Sequence, residues 1–440
     1  EAVVAWNDQT IKDFHNLSWS SADPFLKGMY ARPIYNVMVA NEYLRESTPD
    51  KLAARNITGA DATEIQSTRA EVRFLRAFNY WVMMDIFGKS TFIDETNVVG
   101  TTLPGEKSRT ELFSFIEAEL KAIETELKTV KTIEYGRVDQ GAAWALLARM
   151  YLNAQTYTGT AKWTEAITYA KKVIAGGYSL HTDYSQLFMA DNDKRTNEII
   201  YAVNCDGLHT KSYGNTTFFV HAAAGDDFNE FGVGGGWYGY RATKGLADRF
   251  TDLSGATDKR AMFTTAAFGT SPAQIAISDI GNFANGLHVK KFRNIRSDGG
   301  TVSDVNRDFA DIDFPIFRLS EMYLIYAEAV LRGGTGGDLT TATGYINLIR
   351  QRAFGNTSGN ITSGQLDLPF ILDERARELY WEGHRRTDLI RYNQLTTATY
   401  LWPWKGGIAS GTAVDAKYNI FPIPATNRTA NPNLTQNTGY

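Results

Sequence analysis

The chain has 440 residues and a formal net charge of −4, with 9 Trp, 22 Tyr, 24 Phe and a single cysteine. That balance gives no basic footprint for nucleic acid or an anionic membrane surface. The lone Cys205 excludes an internal disulfide and a cysteine zinc cluster, and no apolar run approaches the length of a membrane span.

Residues 1–23 read as loop, with two exposed tryptophans, Trp6 and Trp19. Asp23 and Pro24 open a helix over 24–45, since the carboxylate caps it and the proline suits the first turn. Leu26, Met29, Tyr30 and Val37 form its buried side. A long helix follows over 61–88 and a third over 110–128, the latter with Leu112, Phe115, Ile116, Leu120, Ile123 and Leu127 at helical spacing.

The segments 139–154 and 163–175 form a helical hairpin. Trp144, Leu147, Ala148 and Tyr151, then Ala166, Ala170 and Val173, fall at the offsets of a tetratricopeptide repeat. A second hairpin of this style covers 318–332 and 341–353. The predicted fold class is mostly α: tetratricopeptide-like hairpins in a superhelical scaffold, with an irregular loop-rich lobe containing little β structure. One domain is expected, with scaffold at 24–200 and 316–395, the lobe at 201–315 and a loop-rich tail at 396–440. Within and beside the lobe, 197–203 and 218–221 read as short strands. The lobe is too long for a plain connector and is expected to have a job of its own.

The stretch 372–392 organises the chain. Leu372, Ala376, Leu379 and Tyr380 line one helix face, and Gly383 supplies the stop. Glu374, Glu378 and Glu382 are four apart, so they stack and repel unless cations meet them. Arg385 and Arg386 are nearby candidates, and Arg69, Arg73 and Arg76 form a matching basic stripe. A structural ion-pair lattice joining the two ends of the chain is expected, with Arg73 or Arg76 at Glu378 and Glu382. Acid–base or metal chemistry at Glu378, Glu382, His384 and Asp388 lacks the H-E-x-x-H spacing.

Other motifs are weaker. Gly234, Gly236 and Gly239 satisfy G-x-G-x-x-G, but A-G-D-D-F-N-E-F before them is no strand, so a glycine-hinged aromatic loop is expected. Asp191, Asn192, Asp193 and Glu198 partly resemble a calcium loop. Arg195 falls at a ligand position, so an Asx turn is the better reading while calcium stays open. No cofactor is required. The six histidines are dispersed, and G-x-S-x-G is absent.

The strongest functional feature is aromatic. Tyr213, Phe228, Phe231, Trp237, Tyr238 and Tyr240 lie among Gly, Asp and Asn without helical period. Flat rings stack on the C–H faces of sugars, and polar neighbours meet the hydroxyls, so these residues suit a preformed carbohydrate platform. Packing of the lobe's own small core is the competing reading. A glycoside hydrolase would need two carboxylates at a cleft, with Asp226, Asp227 and Glu230 the available set. A pure protein-interaction scaffold would keep the lobe closed.

Three segments carry a family resemblance. E-R-A-R-E-L-Y-W-E-G-H-R-R-T-D-L-I-R at 374–391, R-A-E-V-R-F-L-R-A-F-N-Y-W-V-M-M-D-I-F-G at 69–88, and the tail N-I-F-P-I-P-A-T-N with N-P-N-L-T-Q-N-T-G-Y resemble the SusD/RagB family, in family order. The resemblance implies a non-catalytic, lipid-anchored glycan-binding protein of the outer membrane, facing the cell surface, with an oligosaccharide or polysaccharide ligand and a SusC-like TonB-dependent transporter as partner. It also implies a signal, a lipid-bearing cysteine and further helical sequence before the opening E-A-V-V-A-W. That opening is most similar to starch-binding members, which implies starch or malto-oligosaccharide as ligand. The matching site residues are Trp6 with Asp8 or Gln9, and Tyr213 and Trp237 from the lobe, with Tyr238 and Tyr240 alongside.

Overall fold

The computed structural model describes residues 2–4, 6, 8–97, 100, 103–264 and 275–440. Helix accounts for 49% of residues and strand for 5%, the mostly helical class expected. The chain divides into two compact units: Trp19–Lys172 with Asp415–Tyr440, and Glu1–Ser18 with Val173–Val414.

In the first of these units, Asp23 caps helix Pro24–Glu46 by accepting from the Phe25 and Leu26 amides. Leu26, Tyr30 and Val37 are buried, but Met29 is exposed. This helix packs on Gly59–Phe87, which packs on Arg109–Ile123. Neighbouring helices therefore satisfy the basic stripe locally. Arg73 pairs with Glu119 and Glu126, and Arg76 with Glu95 and Glu119. Arg73 and Arg76 are thus not the partners of Glu378 and Glu382. Trp19 is also not exposed: it is buried, edge-on to Phe421 at 4.5 Å and Tyr418 at 5.2 Å, and donates to Tyr440 Oη at 2.8 Å. Its neighbours come from the far end of the sequence, which local pattern cannot show.

In the other unit, strands Ile199–Val203 and Phe314–Arg318 pair antiparallel and bracket the irregular segment. Helices Leu319–Leu331 and Leu339–Phe354 form the expected hairpin. The segment is not without helix. Residues 218–221, expected as strand, lie inside helix Asn215–Ala223. Its Phe219 stacks on Phe292 at 5.4 Å and Phe314 at 5.9 Å, forming a small aromatic core. The opening 23 residues hold a helix too, Gln9–Asn16, anchored where Trp402 donates to the His15 carbonyl at 3.0 Å.

Helix Leu368–Leu379 carries the acidic stripe, and Trp381 and Gly383 turn the chain with φ of 61° and 82° into helix Arg385–Arg391. The stripe is a buried ionic lattice, as its self-repulsion required, but its cations come from 260–377. Glu374 meets Arg260 at 2.7 Å and Arg350 at 2.9 Å. Glu378 meets Arg260 at 3.3 Å and also pairs with Arg318 and Arg352. Glu382 meets Arg318 at 2.6 Å and Lys291 at 2.7 Å. Burial alone would raise the Glu374 carboxyl, yet Arg260, Arg377 and Arg350 bring it down to about 2. Arg352, Arg318 and Arg260 likewise overcome burial at Glu378 and hold it far below the usual range. Glu374 and Glu378 have no exposed surface. A carboxylate closed off and paired on several sides cannot exchange a proton with a substrate, so the stripe is structural.

Candidate aromatic binding site

The site is built around the turn at Trp237. The glycines of G-x-G-x-x-G do not free this turn; they let it pack. A Cβ on Gly236 would lie 2.4 Å from Gly225 O, and one on Gly239 would lie 2.2 Å from Trp6 Cε2. The turn is further fixed by amide bonds, Trp237 N to His221 O at 2.8 Å and Tyr238 N to Ala224 O at 2.9 Å. The motif is a close-approach device, with no strand leading into it and no phosphate cradle.

Trp6 reaches this turn through strand pairing. Ala2–Val4 runs antiparallel to Tyr240–Ala242, with Val4 opposite Tyr240. The Trp6 indole then lies against Gly239, and its Nε1 donates to Trp237 O at 3.1 Å. Phe218 underlies the group, 5.8 Å from Trp6 and 6.3 Å from Trp237.

Tyr213 is 63% exposed, and its ring lies 6.1 Å from that of Trp237 at an angle of 55°. Phe309 supports it from 5.1 Å. Trp237 is partly exposed. Two large ring faces, tilted and adjacent, are thus held by backbone bonds and by aromatic neighbours.

The remaining expected residues are placed as follows. Asp8 is exposed and caps helix Gln9–Asn16, accepting from Thr10 N at 2.9 Å. Gln9 is exposed and donates to Asp13 at 2.9 Å. Tyr240 is partly exposed, and its ring lies 4.4 Å from Trp381 and 5.9 Å from Phe218. Tyr238 has φ of 62°, and its hydroxyl donates to Asp226. The structure therefore brings Trp6, Tyr213 and Trp237 together. It joins Tyr240 to them through Phe218, and it ties Tyr238 to Asp226. Sequence reasoning missed Phe218, His221 and Phe309. The one-turn spacing of Phe218 and His221 was a signal for a shared helix face.

The acids beside the aromatics are already engaged. Asp226 receives the Tyr238 hydroxyl, Asp227 the Gly225 amide at 2.9 Å, and Glu230 the Lys290 ammonium at 2.9 Å. In the calcium-like stretch, Asp191 accepts from Ser297, Asn192 bonds Asp313 and Leu187, and Glu198 pairs with Arg318 and Arg352. What the site offers chemically is flat apolar area with polar rims, suited to binding sugar faces.

The SusD family pattern matches residues 269–440. Over its full length the chain is 36% identical, across 483 aligned positions, to the starch-binding protein SusD of Bacteroides thetaiotaomicron, covering 83% of that protein. The chain belongs to the SusD family. Solved structures share its fold. A SusD superfamily protein from Parabacteroides distasonis superposes with a TM-score of 0.76 at 23% identity, over 100% of this chain and 91% of that one. Surface glycan-binding protein A from Bacteroides thetaiotaomicron, solved in complex with laminarihexaose, gives 0.73 at 20%, over 98% and 89%.

Proposed function

We propose that this SusD-family chain is a non-catalytic binder of α-glucan, starch or malto-oligosaccharide, with Trp6, Tyr213 and Trp237 as its sugar-stacking surface. Asp8 and Gln9, exposed beside Trp6, are the polar rim, and Tyr238 and Tyr240 flank the same turn. The observation that carries the reading is the tilted Tyr213–Trp237 pair, 6.1 Å apart at 55°. Two angled faces fit consecutive rings of a curved glucan better than one flat sheet does. The 36% identity to a protein named for starch binding supports the same ligand. In this reading the protein is lipid-anchored at the outer-membrane surface, no metal is needed, and captured chains pass to a SusC-like TonB-dependent transporter.

Affinity gels and calorimetry with amylopectin, maltoheptaose and laminarin test the ligand. Retardation by amylopectin with no response to laminarin is the expected result. Binding to laminarin alone would overturn the α-glucan assignment. Release of reducing sugar from a bound glycan would overturn the non-catalytic one.

A further inference from the structure

His221 lies behind Trp237. Its ring stacks on the indole with centroids 4.7 Å apart and planes 20° apart, and it is 4% exposed. Both ring nitrogens face backbone carbonyls: Nδ1 is 2.7 Å from Gly235 O, and Nε2 is 3.1 Å from Asp308 O. A carbonyl oxygen only accepts. Neutral imidazole carries one N–H and so satisfies one of these contacts, leaving a lone pair facing the other. Imidazolium satisfies both. The two carbonyls belong to the two segments that hold the aromatic pair. Gly235 lies two residues before Trp237. Asp308 precedes Phe309, whose ring supports Tyr213.

We infer that His221 is a positioning residue: as a doubly donating imidazolium it ties the Trp237 turn to the loop beneath Tyr213, and so makes glycan affinity at this pair depend on pH. The inference rests on the glycan reading of the same site. A cation against the indole face adds attraction of its own. When the proton leaves, one tether is lost and the tilt between the two rings loosens.

The other charged groups on the surrounding elements are placed as follows, with the side chains of Lys211, Arg307 and Asp308 exposed. The helix Asn215–Ala223 carries no other titratable side chain. On the 303–311 loop, Asp304 accepts from the Asn306, Asp308 and Phe309 amides, and Asp311 from Ser303 and Gly207. Asp308 Oδ1 lies close to Gly234, and Arg307 offers its carbonyl to Gly234 N at 3.0 Å. On the 225–240 turn, Asp226, Asp227 and Glu230 are bonded as described, and Tyr238 is raised by its bond to Asp226. His288 is driven by burial down to about 4 and stays neutral near neutrality. His209, on the segment before Tyr213, faces solvent beside Asp206. It is the control.

The test is calorimetric titration of maltoheptaose between about pH 5 and 8, the range in which histidines change charge, into wild type, His221→Gln and His209→Gln. Wild-type affinity should fall roughly three- to tenfold from the acid to the alkaline end, the size of one lost hydrogen bond. His209→Gln should keep that profile. His221→Gln should be flat and weaker at the acid end. A flat wild-type profile, or a pH dependence that survives in His221→Gln, overturns the inference. Nitrogen-15 spectra of the imidazoles without ligand separate the two readings. Two protonated His221 nitrogens at the acid end support the tether, even if maltoheptaose fails to bind and the α-glucan reading falls. One protonated nitrogen there overturns the tether, whatever the ligand.

Discussion

The ionic lattice under helix Leu368–Leu379 and the aromatic pair at Trp237 are the two most conspicuous clusters in the sequence. They resolve in opposite ways. In the lattice each of the three glutamates of the stripe meets at least two cations and none is open to solvent beyond a few per cent. At the aromatic pair Tyr213 is left mostly exposed at the head of a braced turn. A cluster whose members satisfy one another holds the fold. A cluster whose members are fixed from behind and left unsatisfied in front is where a ligand belongs.

Substitutions in the two regions should have separable effects. The largest is on the lattice. Glu378→Ala removes the carboxylate that Arg318, Arg352 and Arg260 share, and breaking buried pairs of this kind costs about 3–5 kcal/mol. Urea unfolding should show that loss, and a change within error would mean that the lattice is not what holds this unit. The lattice also sets the acid limit. Arginine pairing puts the folded Glu374 at about 2, against 4.5 for the free side chain. Its contribution is therefore complete above about pH 4.5 and is lost as pH falls toward 2. Melting temperature measured down that range should drop steeply, and less steeply in Glu374→Gln, which starts lower.

At the platform the effects fall on binding. Trp237→Ala should weaken maltoheptaose binding by about 1–3 kcal/mol, on the scale of ring stacking to bases. Tyr213→Ala should weaken it by roughly 1 kcal/mol while moving stability by less than about 0.5 kcal/mol, since an exposed ring contributes little to packing. A large loss of stability in Tyr213→Ala would move it from the platform to the core.

Much of this was legible in the sequence. Periodicity and caps located the helices at 24–46 and 59–87 and the hairpin at 319–354 to within a few residues, because those signals are local. The stacked glutamates announced a need for cations, but not which ones. Arg318 comes from a strand end and Arg260 from a loop, and no spacing rule links either to residue 378. Trp19 looked exposed because its neighbours in sequence are Ser, whereas its neighbours in space are Tyr418, Phe421 and Tyr440. At the site, the glycines around Trp237 marked the turn correctly and the reason wrongly: Gly236 and Gly239 are there for contact with Gly225 O and Trp6. His221 was invisible because its role depends on two carbonyls 14 and 87 positions away.

On the proposed reading, Trp237 serves the ligand and Glu378 serves the fold. One parallel experiment tests it: maltoheptaose titrated into wild type, Trp237→Ala and Glu378→Gln, with a melting curve for each. Trp237→Ala should lose affinity and keep its melting temperature to within a few degrees, while Glu378→Gln should lose melting temperature and, below it, keep its affinity. A Trp237→Ala protein that melts much earlier yet binds normally would contradict that division of roles.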